Sequence, residues 1–536
     1  MSDERTTVLV VGAGLAGCSA ALFLAHRGVD VLLVERHPGT SIHPRATGQF
    51  PRTMELLRVA GVADEIMAVS YGLGRGLTIK VAESVRGTVF HTIVQGNQDL
   101  DTSAISPAPF GMASQDQVEP ILLAKAEHKG ARVRFGTEVV SFEQDPDGVT
   151  ARLLDRRNGR LTTVRADYVV AADGHRSPFR ETLGIPRYGK GALSHAVGVI
   201  FDVDLTRHIE PDSVALYYLQ NPAFTGVFIN TAVPNRHLFS FDYHPERGES
   251  VLDFTTERVT ELIRIGLDDP TLEPAIKVVQ EWEIAANIAE RFAVGRIFLA
   301  GDAAKVTPPT GGMGGNTAIC DGYDIAWKLA DVLAHVAGPG LLDSYDAERR
   351  PFAEQVVITS LHNAKERIKP DLDLTGVPEP LDAYRLGFGF RCRSGAVLIE
   401  DDDPSLAEAA PSARPGFRAP HVAVAVNGFE TSTVHLFGDG WVLIAGTDGT
   451  AWQRAAERAA TVFGMRLTSY RLGAEVTDPT GQLATTYGIG DAGASLIRPD
   501  GVVAWRSGSA GDDNTLIGVL SRLLDRADIT VGATVG

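Results

Sequence analysis

Short apolar runs separated by helical stretches organise the start of the chain. Residues 7–11 read TVLVV and residues 29–34 read VDVLLV. Apolar runs of this length that are rich in β-branched side chains are typical of buried parallel strands. Between them, residues 12–17 read GAGLAG and residues 18–28 have the composition of a helix. The pattern therefore predicts a βαβ unit in which a glycine-rich turn joins the first strand to the helix.

Two later runs have the same character, and each ends at a small-residue turn. Residues 168–174 read YVVAADG, residues 296–302 read RIFLAGD, and an amphipathic helix is predicted over 316–336. Between the two runs, residues 195–243 alternate apolar and polar side chains, which indicates antiparallel strands. We expect these strands to form a separate sheet that is inserted into the first domain.

Charge and proline set the last part of the chain apart. Residues 401–403 are aspartates, and the stretch 404–420 is rich in proline and arginine, which marks a domain boundary. After this boundary, the sequence predicts a strand, a helix over 451–463, another strand, a hairpin with a Pro-Asp-Gly turn and a final helix. This order predicts a second α/β domain, and no cysteine occurs within 400–536.

Composition narrows the class of protein and its partners. The chain has 536 residues, a net charge of −17 and 44% hydrophobic residues, which predicts several globular domains. A net-acidic surface repels phosphate backbones and anionic lipid, so we expect no nucleic-acid and no membrane partner. The three cysteines, Cys18, Cys320 and Cys392, are far apart, which favours a reducing cytoplasm and disfavours a metal site. Residues 8–25 carry no charge, but their glycines disfavour a membrane span or signal peptide.

The GAGLAG turn predicts a dinucleotide-binding site. Gly12 permits a tight turn, Gly14 lets the backbone approach a pyrophosphate, and Gly17 allows the helix to pack closely on the strand. The helix N-terminus offers free N–H groups and the positive end of a dipole. Glu35, at the end of the second strand, can accept hydrogen bonds from a ribose diol. The turn by itself does not distinguish FAD from NAD.

The block GDAAKVTPPTGGMGGN, residues 301–316, favours a flavin. Its prolines stiffen the loop, and its glycines leave backbone N–H groups free to face a ring. The helix that follows aims its positive dipole end at the same place. Such a loop would stabilise the negative charge that reduced flavin carries at its N1–C2 carbonyl edge.

Taken together, GAGLAG with Glu35, the ADGHRS segment and the GDAAKVTPP block resemble the FAD-dependent aromatic hydroxylases. These are the group A flavoprotein monooxygenases similar to para-hydroxybenzoate hydroxylase, and HPRATGQFPRTMELLR looks closest to hydroxylases of aromatic polyketides. The resemblance spans residues 1–390. It implies FAD contacts from Gly12, Gly14, Ala16, Gly17, Glu35, Arg36, Arg45, Gln115, Asp173, Gly301, Asp302, Pro309, Gly311, Gly314, Gly315 and Asn316.

The resemblance also implies an α/β fold with three domains. A Rossmann-like FAD-binding domain of the glutathione reductase type would occupy 1–180 and 282–395, and an antiparallel β-sheet substrate domain 181–281. A thioredoxin-like domain without a CxxC motif would occupy 400–536. Arg367 and Tyr218 are the expected catalytic residues. The expected substrate-lining residues are Tyr218, Phe228, Asn230 and Phe239, although alternation alone places some of the candidates on the opposite face of the sheet.

The implied reaction uses NADPH, O2 and a small aromatic substrate. NADPH would reduce FAD, O2 would add to give a flavin hydroperoxide, and a polycyclic polyketide-type ring would be hydroxylated in secondary-metabolite biosynthesis. Two alternatives remain open: a flavin oxygenase or oxidase reduced by its own substrate, and a non-catalytic flavin-binding sensor. A flavin halogenase is disfavoured because WEIAAN does not supply that family's Trp-x-Trp-x-Ile-Pro segment. The choice between NADPH and NADH, and between monomer and homo-oligomer, is also left open.

Overall fold

A computed structural model describes residues 4–210 and 212–529, so the predicted domain limits at 1–3 and 530–536 lie outside the described residues. The strands are β1 (Glu4–Val11), β2 (Val31–Glu35), β3 (Leu77–Ala82), β4 (Val89–Gln95), β5 (Arg132–Phe135), β6 (Thr137–Asp145), β7 (Gly148–Asp155), β8 (Leu161–Ala171), β9 (Arg187–Asp202), β10 (Val214–Asn221), β11 (Phe224–Asn230), β12 (Arg236–Tyr243), β13 (Ala275–Ala289), β14 (Ala293–Val294), β15 (Ile297–Leu299), β16 (Lys305–Val306), β17 (Ala423–Val426), β18 (Phe429–Ser432), β19 (Trp441–Ala445), β20 (Leu467–Arg471), β21 (Val476–Thr477), β22 (Ala494–Ile497) and β23 (Val503–Ser507).

Helices connect and cover these strands. They are α1 (Leu15–His26), α2 (Pro51–Val59), α3 (Ala63–Val69), α4 (Gln115–His128), α5 (Pro178–Thr182), α6 (Thr256–Leu267), α7 (Met313–Leu333), α8 (Asp343–Arg367), α9 (Ala383–Gly387), α10 (Thr450–Phe463), α11 (Leu483–Tyr487) and α12 (Asp513–Leu523). Among the described residues, no helix combines the length and the apolar character that crossing a membrane would require.

The first sheet carries the predicted βαβ unit. Its order is β14-β15-β8-β1-β2-β5, with β1 parallel to both β2 and β8, and β6 and β7 attached beside β8. The sequence placed strands at 7–11, 168–174 and 296–302, and the structure has β1, β8 and β15 there. Helix α1 is buried along nearly its whole length, since it lies between this sheet and α7. This is the predicted Rossmann-like layer.

The second sheet differs from the expectation in its membership and in one strand direction. Its order is β16-β13-β9-β12-β11-β10-β3-β4, so residues 77–95 belong to it although they fall within the predicted first domain, 1–180. Strand β3 pairs with β10 in parallel, whereas an all-antiparallel sheet was expected. The limits 1–180 and 181–281 therefore do not describe this sheet, because two of its strands come from far earlier in the chain.

The C-terminal domain has the predicted thioredoxin-like topology. Its central sheet has the order β20-β19-β22-β23, with β19 parallel to β20 and antiparallel to β22. Helix α10 connects the parallel pair, and α12 follows the final hairpin. The fold class predicted from the sequence, including this domain, is confirmed.

The turn between β22 and β23 inserts charged side chains beneath α7 and α8. Arg498 is fully buried and donates to Glu348 at 2.6 and 2.8 Å and to Asp500 Oδ1 at 3.1 Å. Lys328 donates to Asp324 at 2.7 Å and to Glu348 at 3.2 Å. The clustered carboxylates of Asp324, Glu348 and Asp500 thus have arginine and lysine as their partners. These ion pairs fix the C-terminal domain against the first domain.

Candidate active site

In the GAGLAG turn, the packing of the protein requires glycine at two positions and leaves room for a side chain at a third. Gly12 has a φ of +103°, and a Cβ there would lie 2.2 Å from the carbonyl oxygen of Ala172. A Cβ on Gly17 would lie 1.8 Å from the carbonyl oxygen of Gly12. Gly14 has an extended φ of −77°, and the nearest atom to its added Cβ would be 3.8 Å away. Since protein packing does not demand glycine at 14, the open space above the N-terminus of α1 suits a pyrophosphate.

Glu35 is fixed beside that turn. Its carboxylate accepts hydrogen bonds from the backbone N–H of Ala13 and of His37, each at 2.8 Å. Each carboxylate oxygen can accept further bonds, so a ribose hydroxyl can still be bound there. Arg36 is exposed next to it, and Ala16 is buried in α1 beside Gly301, whose added Cβ would come within 2.8 Å of the Ala16 Cβ.

Asp302 projects into a large cavity. Within the described ranges, no group donates a hydrogen bond to its carboxylate, which is open to the cavity although protein surrounds it. Burial raises the pKa of Asp302, and the nearby charge of Lys305 opposes that rise. The neighbouring backbone is held in place because the N–H of Gly301 donates to Asp321 at 3.1 Å. A carboxylate without a partner at this position suits a polyhydroxylated ligand such as a ribityl chain.

The glycine-rich loop after Asp302 leads directly into α7. The helix begins at Met313, three residues before the predicted start at Asn316, and Gly311 and Gly312 have left-handed φ values of +110° and +65°. The Asn316 side chain accepts from the N–H of Phe50 at 2.7 Å and donates to the carbonyl of Gly48 at 3.0 Å. Asn316 therefore ties the 48–50 segment to the start of α7.

The remaining predicted cofactor residues have varied surroundings. Gly315 packs against the segment containing Arg45, since a Cβ there would lie 2.9 Å from the Ala46 Cβ, and a Cβ on Gly314 would lie 3.3 Å from Thr307. Gln115 donates to Glu119 at 2.5 Å, and its own N–H bonds the Arg45 carbonyl at 2.8 Å.

Asp173 has a structural role in the fold. Its two carboxylate oxygens accept from the Ser177 hydroxyl at 2.7 Å and from the N–H of Phe179 at 3.0 Å. These bonds cap α5, and burial raises the pKa of Asp173. A contact of this carboxylate with FAD stays a prediction.

The cavity has a volume of about 1380 Å³ and lies between the glycine-rich loop, α8 and the second sheet. Single-ligand pockets are usually about 300–1,000 Å³, so this cavity has room for a flavin ring together with a second molecule. Seven of the predicted cofactor or catalytic residues line it. We call the glycine-rich loop of residues 303–312 the flavin loop; the seven are Asp302, Pro309, Gly311 and Asn316 in or beside this loop, Arg45 from the segment between β2 and α2, Arg367 from α8 and Tyr218 from β10.

Arg367 and Tyr218, the predicted catalytic pair, meet at this wall. Arg367 is the last residue of α8, and its guanidinium carbon lies 5.6 Å from the centre of the Tyr218 ring. One guanidinium N–H donates to Asn363 at 3.0 Å, whereas the Nε–H has no partner among the described residues. Burial raises the pKa of Tyr218, and the Arg367 charge acts against that rise. The backbone of Gly311 lies close to the same phenol.

Three of the four predicted substrate residues do not face the cavity. Phe228 and Phe239 are fully buried on the other face of the sheet, where they pack with residues of α6. The Asn230 amide accepts from the N–H of Ala215 and donates to the carbonyl of Ser213, each at 2.8 Å, so it fixes the end of β10. Only Tyr218 points into the cavity as predicted.

The residues on the cavity face are the alternate set. They include Leu216, Val227, Ile229, Leu238, Ser240, Gln280 and Trp282 from the second sheet, and Ile79 and Ile93 from β3 and β4. The alternating pattern in the sequence includes the residues of both faces of the sheet. The strand register, in which Tyr218 lies opposite Val227, identifies the residues that face the cavity. Sequence reasoning also missed Leu381, just before α9, and Leu386, within this five-residue helix, because the segment is too short to show a periodic pattern.

Comparisons with known proteins identify the family of the chain. The family described as FAD binding domain matches residues 5–360, and the family described as aromatic-ring hydroxylase, C-terminal, matches residues 412–527. The chain belongs to the FAD-dependent aromatic-ring hydroxylases: it is a flavoprotein monooxygenase that binds FAD.

Individual relatives cover almost the whole chain. Aklavinone 12-hydroxylase RdmE of Streptomyces purpurascens is 51% identical over 98% of this chain and 100% of its own length. Tetracenomycin A2 monooxygenase-dioxygenase of Streptomyces glaucescens is 38% identical over 100% of this chain and 99% of its own length. The crystal structure of aklavinone-11 hydroxylase with FAD and aklavinone superimposes with a TM-score of 0.94 at 51% identity, over 98% of this chain and 100% of that chain.

Proposed function

We propose that this enzyme hydroxylates a polycyclic aromatic polyketide, with NADPH as electron donor and O2 as oxygen source, in antibiotic biosynthesis. The observation that carries the proposal is the Arg367–Tyr218 pair at the wall between the flavin loop and a cavity large enough for a multi-ring substrate. The identity to hydroxylases named for aklavinone supports the substrate class. The overall reaction consumes the aromatic C–H, O2, NADPH and a proton, and yields the phenol, water and NADP⁺.

The residues that would hold FAD follow from the site. The turn at Gly14 and the N-terminus of α1 would bind the pyrophosphate, Glu35 the ribose, and Asp302 the ribityl hydroxyls. The loop of Gly311 and the start of α7 would lie against the flavin ring. The chemistry that FAD supplies when bound is the transfer of electrons from NADPH to O2 and of one oxygen atom to the substrate.

The protein's own groups then act on the substrate. The Arg367 guanidinium would stabilise a phenolate, because an opposite charge nearby lowers the pKa of a phenol. An ionised ring is more electron-rich and attacks an electrophilic oxygen more readily. Tyr218 keeps its proton because burial raises its pKa, so it can donate a hydrogen bond to the same substrate oxygen. The apolar side chains on the sheet face exclude water from this position.

The reductant would approach through the ADGHRS segment. Arg176 and Arg187 line the cavity, and Arg187 donates to the backbone carbonyl of His175 at 3.2 Å. Two guanidinium groups near each other suit the phosphates of NADPH. Use of NADPH and the three free cysteines both support a cytoplasmic location.

The test is turnover of the FAD-loaded enzyme with a panel of polycyclic phenols in ¹⁸O2. We expect the substrate to stimulate NADPH oxidation. We also expect the product to contain one ¹⁸O atom that the substrate lacked. Product oxygen from water contradicts the monooxygenase assignment. Turnover that is unaffected by omitting NADPH supports reduction by the substrate itself, and binding of phenols without any turnover supports a sensor.

A further inference from the structure

One level of the second sheet crosses the cavity from side to side. Tyr218 on β10 is opposite Val227 on β11, Val227 is opposite Ser240 on β12, Ser240 is opposite Gly198 on β9, and Gly198 is opposite Gln280 on β13. Residues directly opposite each other in neighbouring strands point to the same face. All five line the cavity. We call these five residues the cross-strand row.

The row has polar side chains at both ends and at its centre. Neighbouring strands lie about 4.8 Å apart, so four spacings separate Tyr218 from Gln280 by about 19 Å. The Tyr218 end lies beside Arg367 and the flavin loop, where the reacting ring would lie. Val227 is the apolar member next to Tyr218, and the adjacent row of residues on the same face of the sheet is also apolar. Ser240 lies two spacings from Tyr218, at about 10 Å, and Gln280 lies at the far end.

Gly198 leaves a recess between those two polar residues. Its φ lies outside the left-handed region, so the backbone does not require glycine. A Cβ added there would lie 3.5 Å from Trp282 Nε1 and 3.7 Å from Trp282 Cδ1, which are ordinary contact distances. The folded protein can therefore accept a side chain at 198. The glycine keeps the cavity floor open at this point.

The recess is surrounded by hydrogen-bonding groups that the protein does not use. In the ranges 4–210 and 212–529, the hydroxyl of Ser240, the amide of Gln280 and the indole N–H of Trp282 take part in no hydrogen bond to another residue, and all three line the cavity. Polar groups beside a recess within an otherwise apolar wall are the usual means by which a pocket fixes the orientation of its ligand.

We infer that Ser240, Gly198 and Gln280 form a second substrate subsite. It binds an oxygen substituent, carbonyl or hydroxyl, on the end of an elongated fused-ring substrate that is remote from the ring being hydroxylated. This inference rests on the proposed function, because the row then holds one molecule by both ends. By fixing the distance between the ends, the subsite determines which ring carbon lies at the flavin loop and selects against short substrates.

The experiment compares two probes on FAD-loaded enzyme variants: aklavinone, which is tetracyclic, and 1-naphthol, which has two rings. Gly198→Ala fills the recess, and Ser240→Ala removes one hydrogen-bonding group. Gly518→Ala is the matched control, since no atom lies within 4 Å of its added Cβ on α12. Dissociation constants are measured by flavin fluorescence, with FAD content and melting temperature recorded for each variant.

We expect Gly198→Ala to weaken aklavinone binding at least about tenfold and Ser240→Ala to weaken it about threefold to tenfold. Binding of 1-naphthol should change less than about twofold in both variants, because a two-ring molecule held at the flavin loop does not reach the subsite. Gly518→Ala should match the wild type for both probes, because Gly518 lies outside the cavity. Equal losses for the two probes, or no loss for either, overturn the subsite. Wild-type enzyme that binds both probes but transfers no oxygen overturns the proposed function instead, because the two dissociation constants still decide the subsite.

Discussion

The guanidinium of Arg367 lies over the ring of Tyr218, 5.6 Å from its centre, with Nε–H unpaired among the described residues. The two side chains come from different elements, α8 and β10, so the pair depends on how the second sheet packs against α8. Asn363 connects them to that loop, because it accepts from Arg367 at 3.0 Å and donates to the Thr310 carbonyl at 3.4 Å. The position of the loop and the position of the cation are thus linked.

Removing the Arg367 charge should move the pH dependence of turnover. If the substrate reacts as a phenolate that Arg367 stabilises, Arg367→Met raises the pKa of the bound phenol and shifts the acidic limb of kcat about 1–3 pH units to higher pH. Arg367→Lys keeps the charge and should shift it less. The measurement is kcat at saturating substrate against pH for both variants. An unchanged profile in Arg367→Met contradicts the phenolate role.

Tyr218→Phe should lower kcat without changing the pH profile. Burial raises the pKa of Tyr218 above the usual value of about 10 for a tyrosine. The phenol is therefore protonated at neutral pH and acts as a hydrogen-bond donor. A hydrogen bond to a charged group contributes about 1.5–3 kcal/mol, which corresponds to a loss of about 10- to 150-fold. Stopped-flow measurement of hydroxylation, beside NADPH consumption, separates this loss from a loss of binding. A variant with wild-type kcat contradicts the donor role.

Two substitutions test the FAD site at separate points. Gly14→Val places a side chain in the space reserved for the pyrophosphate and should abolish FAD retention. Asp302→Ala should weaken FAD binding by about 1–3 kcal/mol through loss of hydrogen bonds to the ribityl chain. FAD content after gel filtration and titration by fluorescence are the readouts, and Gly518→Ala again serves as the control. Full FAD retention by both variants shows that the cofactor binds elsewhere.

The buried charges at the domain interface predict a large effect on stability. Burial by itself raises the pKa of Glu348, but the charges of Arg498 and Lys328 outweigh burial, so its pKa lies below the usual range. Arg498→Met leaves that carboxylate without its main partner and should cost about 3–5 kcal/mol of unfolding free energy at pH 7. The matched control is Arg506→Met, since the Arg506–Glu400 pair is partly exposed and contributes about 0–1 kcal/mol.

The same pair has a defined pH dependence. The folded-state pKa of Glu348 is depressed, so its contribution is fully present above the unfolded value of about 4.3 and is lost as pH falls through the folded value. The difference in unfolding free energy between wild type and Arg498→Met should therefore shrink below about pH 4. Chemical denaturation at several pH values measures it. A difference that stays constant with pH contradicts the ionic origin.

The cysteines should be chemically inert in the folded enzyme. Burial raises the pKa of Cys18, Cys320 and Cys392, which keeps each of them as the unreactive thiol. Native protein should react slowly with a thiol reagent such as dithionitrobenzoate, and unfolded protein should react fully. A triple Cys→Ser variant should retain turnover. If that variant is inactive while its FAD content and melting temperature are unchanged, the thiols have a chemical role.

Local patterns were sufficient for the βαβ unit and insufficient for the substrate sheet. The apolar runs and the positions of Gly12 and Gly17 fix strand, turn and helix from neighbouring residues, and β1, α1 and β2 follow them. Alternation identified the strands of the second sheet but not which face meets the cavity, so Phe228 and Phe239 were placed on the wrong side. Strand β3 was missed because its partner β10 is more than a hundred residues away, and no local pattern records such a pairing.

The insertion of Arg498 has a consequence for the order in which a newly synthesised chain becomes complete. Arg498 follows Glu348 by 150 residues, so α7 and α8 leave the ribosome long before the arginine that neutralises them. Until then, Glu348 has only Lys328 as a cation partner, and the face of α7 and α8 that the hairpin covers is open to water. The ion pair between Arg498 and Glu348 therefore forms only after the hairpin of β22 and β23 has been synthesised. We expect a chain truncated before Arg498 to be cleaved by proteases more readily than the full chain, because this contact between the domains cannot form.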